Sequence, residues 1–258
     1  MSLPRGTTIT TRVPLCLRLV CDSKVLQGFA EIADNAEMAN SKRIALSDVA
    51  SEVTAFTEKL AGSDGHVVDR PIHLRVTQPS GPTVTLIDLP GIAQASDLCA
   101  NIYEETVGLV KKYIAHENLI ILAVGVATLD LATVEAIRLA REVDPTGART
   151  LGVLTKTDLC DQDSDIKEKL RGVDKRHTQL ALGFIAVRNR TQSECDSGVT
   201  VEKARKEEAA FIQNSSLLSG LDRKYWGTDT LGDRIMELQS AQGESLQTNL
   251  MIKIATKR

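Results

Sequence analysis

The stretch Leu151-Gly152-Val153-Leu154-Thr155-Lys156-Thr157-Asp158 decides the fold. Its first four residues form a continuous apolar run, the pattern of a parallel strand buried on both faces. The polar residues follow at once and therefore sit at the carboxyl end of that strand. In a doubly wound α/β sheet this is the end where ligands bind. A carboxylate at Asp158 can accept hydrogen bonds from the N1–H and the exocyclic amino group of guanine, a donor pair that adenine lacks. The aliphatic stem of Lys156 can lie along the base. An isolated TKxD reads equally well as a turn with an N-capping aspartate, so the neighbouring strand ends must decide.

Two other strand ends carry polar elements in a matching order. Val84-Thr85-Leu86-Ile87 leads into Asp88-Leu89-Pro90-Gly91. A carboxylate there can hold magnesium, often through water, and a glycine three residues on lets its N–H approach a phosphate. That is the chemistry of a switch II segment in nucleotide hydrolases. Phe184-Ile185-Ala186-Val187 leads into Arg188-Asn189-Arg190-Thr191-Gln192, a polar loop able to close over base and ribose. Any one of these would say little. Three in register point to a guanine nucleotide.

The rest of the chain alternates strands and helices, which argues for a doubly wound sheet. A strand is expected over residues 13–20. A helix follows an N-cap at Ser47, with Val49, Val53, Phe56 and Leu60 on one face and Gly62 as its stop. Residues 72–77 and 84–87 read as a hairpin around a turn at 78–82. Further helices are expected over 97–115, through Leu131, Val134, Ile137 and Ala140, over 165–172 and over 203–213, with a buried strand at 119–124. From Asp229 onward, Leu231, Ile235, Leu238, Leu246 and Leu250 line one face of a long terminal helix with no strand after it. Such a stripe packs against a partner helix or folds back onto its own domain.

Composition excludes several classes. The chain has 258 residues and a formal net charge of -3, which gives no electrostatic case for nucleic acid. Five cysteines at irregular spacing fit neither a disulfide framework nor a zinc site. The four histidines show no paired spacing. No apolar run reaches the length of a membrane span, and the start lacks the pattern of a secretory signal, so the expected location is cytoplasmic.

The three elements together, spelled DLPG, TKTD and NRTQ, resemble the dynamin superfamily of large GTPases. The N-terminal text agrees: Leu3-Pro4-Arg5-Gly6-Thr7-Thr8-Ile9-Thr10-Thr11-Arg12-Val13-Pro14-Leu15 is similar to the family's LPRGxGxxTRxPL switch I. Asn101-Ile102-Tyr103-Glu104 and Glu142-Val143-Asp144-Pro145 match as well, and Val187-Arg188-Asn189-Arg190 with Leu217-Leu218-Ser219 looks closest to the Mx-like branch. The resemblance implies an α/β dynamin-type G domain, an extended Ras-like P-loop NTPase sheet, binding GTP or GDP with Mg2+. It implies Thr11 and Asp88 at the metal, Thr11 and Gly91 at the attacking water and γ-phosphate, and Gly6 near a monovalent cation. It assigns Lys156, Asp158, Asn189, Arg190 and Gln192 to the nucleotide. It further implies pairing with itself or related dynamin-like proteins through the G-domain face and the C-terminal helix, and contacts with membranes and microtubules.

The chain also departs from the family pattern. A P-loop reads GxxxxGK[ST] and wraps phosphates in backbone N–H groups. None of the 17 glycines here is followed by lysine. The expectation is a G domain without its first strand and P-loop over residues 1–215, and over 216–258 a C-terminal amphipathic helix leading to a stalk. Losing a central strand would force its neighbours to close up, leave edges unpaired or recruit another strand. Thr8 stands where a second switch I glycine is usual, Ala93 where threonine is common, and the switch II loop after Gly91 is about two residues short. Two functions follow: a GTP-hydrolysing domain crippled at its phosphate side, or a non-catalytic module that binds a related full-length protein.

Overall fold

The computed structural model describes residues 3–4, 11–62, 65–92, 101–172, 179–243 and 250–255. In chain order the elements are strand β1 (Leu15–Cys21), β2 (Phe29–Ala33), β3 (Lys42–Ile44), helix α1 (Val49–Ala61), β4 (Ile72–Gln78), β5 (Val84–Asp88), α2 (Ile102–Ile114), β6 (Leu119–Val126), α3 (Glu135–Val143), β7 (Thr150–Thr155), α4 (Ile166–Arg171), β8 (Phe184–Ala186), α5 (Gln192–Asp196), α6 (Val201–Asn214), α7 (Thr228–Gly243) and β9 (Leu250–Ala255). The fold is mixed α/β. It divides into two compact units, one of Met1–Ile120 with Gln242–Arg258 and one of Ile121–Ala241. The expected boundary at 215/216 falls inside the second.

The first unit carries a mixed sheet. β1 pairs parallel with β4 and antiparallel with β5, while β2 pairs antiparallel with both β3 and β4. The expected hairpin between β4 and β5 is therefore wrong: β1 lies between them. The local signal was a turn between two apolar runs, but an earlier strand with inward Leu15 and Leu17 took the intervening place. Ala30, Ile32, Ile72, Leu74 and Val76 pack with these residues against Val49 and Val53 of α1 to form the core. α1 stops at Gly62, which takes the left-handed φ of 66° that favours glycine.

The largest correction lies at the C-terminus. The expected helix was to run on through Leu246 and Leu250 with no strand beyond. Instead α7 ends at Gly243, Leu246 lies outside the described residues, and Leu250 opens β9. Glycine is a poor helix former, and Leu-Met-Ile-Lys-Ile-Ala is rich in strand formers. β9 pairs parallel with β5, with Leu86 opposite Met251, Ile87 opposite Ile252 and Asp88 opposite Lys253. β9 thus occupies the edge of β5 that faces away from β1.

The second unit matches the expectation of buried parallel strands. β6, most of which belongs here, pairs with β7, and β7 pairs with β8, all parallel. Every residue from Thr150 to Leu154 is buried. Gly152 sits opposite Phe184. The face of α7 expected to be apolar is only half-buried at Leu231, Ile235 and Leu238. Among the described residues, no helix is long and apolar enough to cross a membrane, and no cluster of His, Cys, Asp and Glu could hold a metal ion.

Candidate guanine-nucleotide site

The sequence-predicted residues fall into two groups, one in each unit. In the first unit, β5 delivers Asp88 at its carboxyl end, and the residues after it are anchored by Leu89 and Ile92, each 2% exposed. Two buried apolar anchors flanking Pro90 and Gly91 hold this turn against the core. Asp88 pairs with Leu15, the first residue of antiparallel β1. The chain just before β1, including Thr11, is thereby brought to the Asp88 end of the sheet. Arg12 fixes that approach: its Nη2 donates to Gly62 O at 2.6 Å and its Nη1 to Ala61 O at 3.4 Å. These carbonyls end α1, where a cation is favoured by the helix dipole. Val68 N–H adds a bond to Arg12 O at 3.0 Å. Gly6, Thr8 and Ala93 lie outside the described residues.

In the second unit, β7 ends on the TKTD segment. Lys156 takes a left-handed backbone conformation, φ 56° and ψ 41°, which is uncommon for a residue with a Cβ and is concentrated at functional turns. It reverses the chain into a single 3-10 turn over Thr157–Leu159. Lys156 is exposed, and half-buried Asp158 lines a pocket of about 310 Å³ together with Cys160, Gln162, Phe211 and Asn214. Burial raises the Cys160 thiol above its ordinary value, so this neighbour stays neutral.

The TKTD segment and the chain leading into the loop after β8 are tied to each other. Thr157, 1% exposed, donates its hydroxyl to Val187 O at 3.4 Å. Val187 N–H donates in turn to Leu154 O at 2.8 Å. The loop that follows β8 is rigidly built. Thr191 caps α5 in a reciprocal box: Glu194 N–H reaches Thr191 Oγ1 at 3.2 Å, and Thr191 N–H reaches Glu194 Oε2 at 2.7 Å. Arg188 Nη2 adds 2.6 Å to Glu194 Oε1. Arg190 turns its Nη1 onto Val199 O at 2.7 Å, and Gln192 turns its amide onto Asp196 at 2.8 Å. Both side chains thus hold the loop, while Asn189 stands exposed at its tip.

Thr157 and Glu194 were not singled out from the sequence. The Thr-x-x-Glu spacing of a capping box was available as a signal for Glu194. Nothing marks Thr157 beyond its place in TKTD.

The box makes a pH prediction. The Thr191 N–H first, and then the Arg188 guanidinium, hold the Glu194 carboxyl below its ordinary value of 4.5. A depressed folded-state value means stabilisation that is present above the unfolded-state value and lost as pH falls through the folded-state one. Carboxyl NMR should therefore show Glu194 titrating below 4.5, with Arg188→Gln moving the midpoint up. A midpoint at or above 4.5 in the unaltered protein would contradict this geometry.

A family model described as the dynamin family matches residues 2–157, and one described as the dynamin central region matches residues 168–256. The chain belongs to the dynamin family of large GTPases. It is 37% identical over 216 residues to Phragmoplastin DRP1A of Arabidopsis thaliana, covering 83% of this chain and 34% of that protein. It is 35% identical over 260 residues to Dynamin-related protein 4C of the same plant, covering 100% and 37%. It is 38% identical over 222 residues to Dynamin-1-like protein of Danio rerio, covering 82% and 32%. The similar identities assign the family without selecting a branch within it. The chain spans about a third of the length of these relatives.

Proposed function

We propose that this chain is a guanine-nucleotide-binding domain of a dynamin-like large GTPase, in which recognition of the base is the better-equipped half of the site. The observation that carries this reading is the hydrogen-bonded tie between the two base-reading segments, Thr157 to Val187, beneath a carboxylate at the strand end. Asp158 is an acceptor-only group matched to the two donors on the guanine edge, so the residues present fit the base. Thr11 and Asp88 would hold a magnesium ion, which supplies neutralisation of phosphate charge when bound. Thr11 and the Gly91 backbone would orient the attacking water. Lys156 and Asn189 would flank the base, with Arg190 and Gln192 supporting the loop around it. No glycine in these residues is followed by lysine, so they do not supply the lysine-bearing phosphate loop, and hydrolysis by them is proposed to be crippled.

Calorimetry with GTP, GDP and ATP tests the reading. Micromolar, magnesium-dependent binding of the guanine nucleotides alone supports it. No binding by a folded sample would favour the second reading, a non-catalytic module that pairs with a related full-length dynamin-like protein, for which the absent Gly-Lys pair is the motivating observation. Self-association and association with membranes or microtubules are carried here as proposals from the family alone.

Asp158→Asn gives the sharper test. Losing a charged acceptor against two donors should weaken GDP binding roughly 100-fold, at about 1.5–3 kcal/mol per charge-assisted bond. Xanthosine diphosphate, which carries a carbonyl in place of the amino group, should gain affinity, because the asparagine amide can donate to it. Unchanged GDP affinity in this variant would remove Asp158 from the site.

A further inference from the structure

Glu208 belongs to no motif and lies in the middle of α6, yet it is 3% exposed. Removing a carboxylate from water is costly unless its oxygens are well supplied with donors. Here both are. Oε1 accepts from the backbone N–H of Arg188 at 2.8 Å. Oε2 accepts from the backbone N–H of Thr228 at 2.9 Å and from its hydroxyl at 2.7 Å. Arg188 is the first residue of the loop proposed to close over the base. Thr228 is the first residue of α7. One rigid, planar group thus spans from the nucleotide loop to the start of a 16-residue helix.

The division of labour between the two oxygens matters. Each serves one side, and the group is too buried for water to replace a partner that moves away. A second stitch lies alongside: Gly227 N–H donates to Ala186 O at 2.8 Å, and Trp226 forms a parallel bridge with Ala186. Ala186 ends β8, two residues before Arg188. A displacement of the start of α7 would therefore pull on Glu208 and on the end of β8 together, and both lead into the base loop.

We propose that Glu208 is a positioning residue that couples the base-reading loop to α7, so that the orientation of the helix and the closure of the loop over guanine are linked. The nucleotide part of this rests on the function proposed above, and the mechanical part does not. Coupling of this kind is reciprocal: a nucleotide that orders the loop favours one placement of α7, and a contact that shifts α7 changes affinity for the nucleotide by the same factor.

The test uses the full chain and reads amide exchange at Arg188 and Thr228, with GDP as the ligand probe. Glu208→Ala should raise exchange at both amides at least about tenfold while leaving the β7 amides unchanged. Glu208→Gln, which keeps a single acceptor oxygen and folds if the alanine variant does not, should release one of the two amides and keep the other. The decisive variant is Thr228→Val, on α7 and outside the loop. It should raise exchange at Arg188 and weaken GDP binding severalfold, and GDP should in turn slow exchange at Thr228 in the unaltered protein. If Thr228→Val leaves the Arg188 amide as protected as before, the coupling is refuted. If the unaltered protein fails to bind GDP but Thr228→Val still releases Arg188, the function proposed above fails and the coupling stands.

Discussion

Gly152→Ala is expected to cost about 3 kcal/mol of stability or more, at the upper end of what overpacking a filled core does. Gly152 lies in the middle of β7, opposite Phe184 of β8. A Cβ there would stand 2.1 Å from Phe184 Cδ1 and 2.3 Å from Cε1. Neither partner can yield easily. Phe184 is 3% exposed, and Gly152 N–H is bonded to Gly183 O at 3.0 Å. The ring occupies the space that a side chain on β7 would need, so glycine is demanded by contact and not by backbone conformation. A loss of this size lowers the melting temperature by roughly 6–12 °C in a chain of this length. The single tryptophan, Trp226, bridges to Ala186 of β8 and makes fluorescence a local reporter of the transition. Adding Phe184→Leu should make the double variant more stable than the sum of the two single losses by about 1 kcal/mol or more. A Gly152→Ala protein that melts within a degree of the original would show that β8 does not sit where described.

The second large effect concerns Lys169 of α4. This lysine is 3% exposed, and its amine donates to Ala127 O at 3.1 Å and Leu129 O at 2.9 Å, with Asp165 Oδ1 2.7 Å away. Three donors meet three acceptors. Asp165 is about half exposed, so its ion pair contributes little; the weight rests on the two carbonyls. They belong to the segment after β6, which is also held by Ala127 N–H to Thr155 O at 2.8 Å. Lys169→Met keeps the apolar stem and deletes the charge-assisted bonds, with an expected loss of about 3 kcal/mol. Urea denaturation would measure it, and amide exchange should rise over 127–130 first. Methionine at no cost would mean that water reaches these carbonyls and that the lysine is not needed there.

What could be read from the sequence tracks how local the information was. β6 and β7 announced themselves because a strand buried on both faces must be apolar throughout, and the polar residues after β7 could be assigned to its carboxyl end by position alone. The place of β1 between β4 and β5 could not, since a pairing across some 60 residues leaves no local trace and the turn at 78–82 imitates a hairpin. The C-terminus misled for a different reason. Leu246 and Leu250 continue the four-residue spacing of α7, and that spacing outweighed Gly243, which was the better signal. At the candidate site, DLPG, TKTD and NRTQ were visible as text. Their supports were not: Thr157, Glu194 and Glu208 matter through partners that only folding brings near.

The pairing of β9 with β5 has a consequence for how the protein is made. β5 is bordered on one side by β1, but its other partner lies on the order of 160 residues further along, a long loop to close. On a ribosome adding about 5–20 residues per second, that edge is complete in sequence roughly 10–30 s before its partner emerges. Until β9 emerges, β5 lacks the partner it has on this side in the folded chain, and an unpaired edge of this kind can take an extended chain nearby. Synthesis slow enough to delay β9 should shift the product from folded protein toward aggregate, and a short peptide carrying the 250–255 sequence, supplied during synthesis, should reduce that loss.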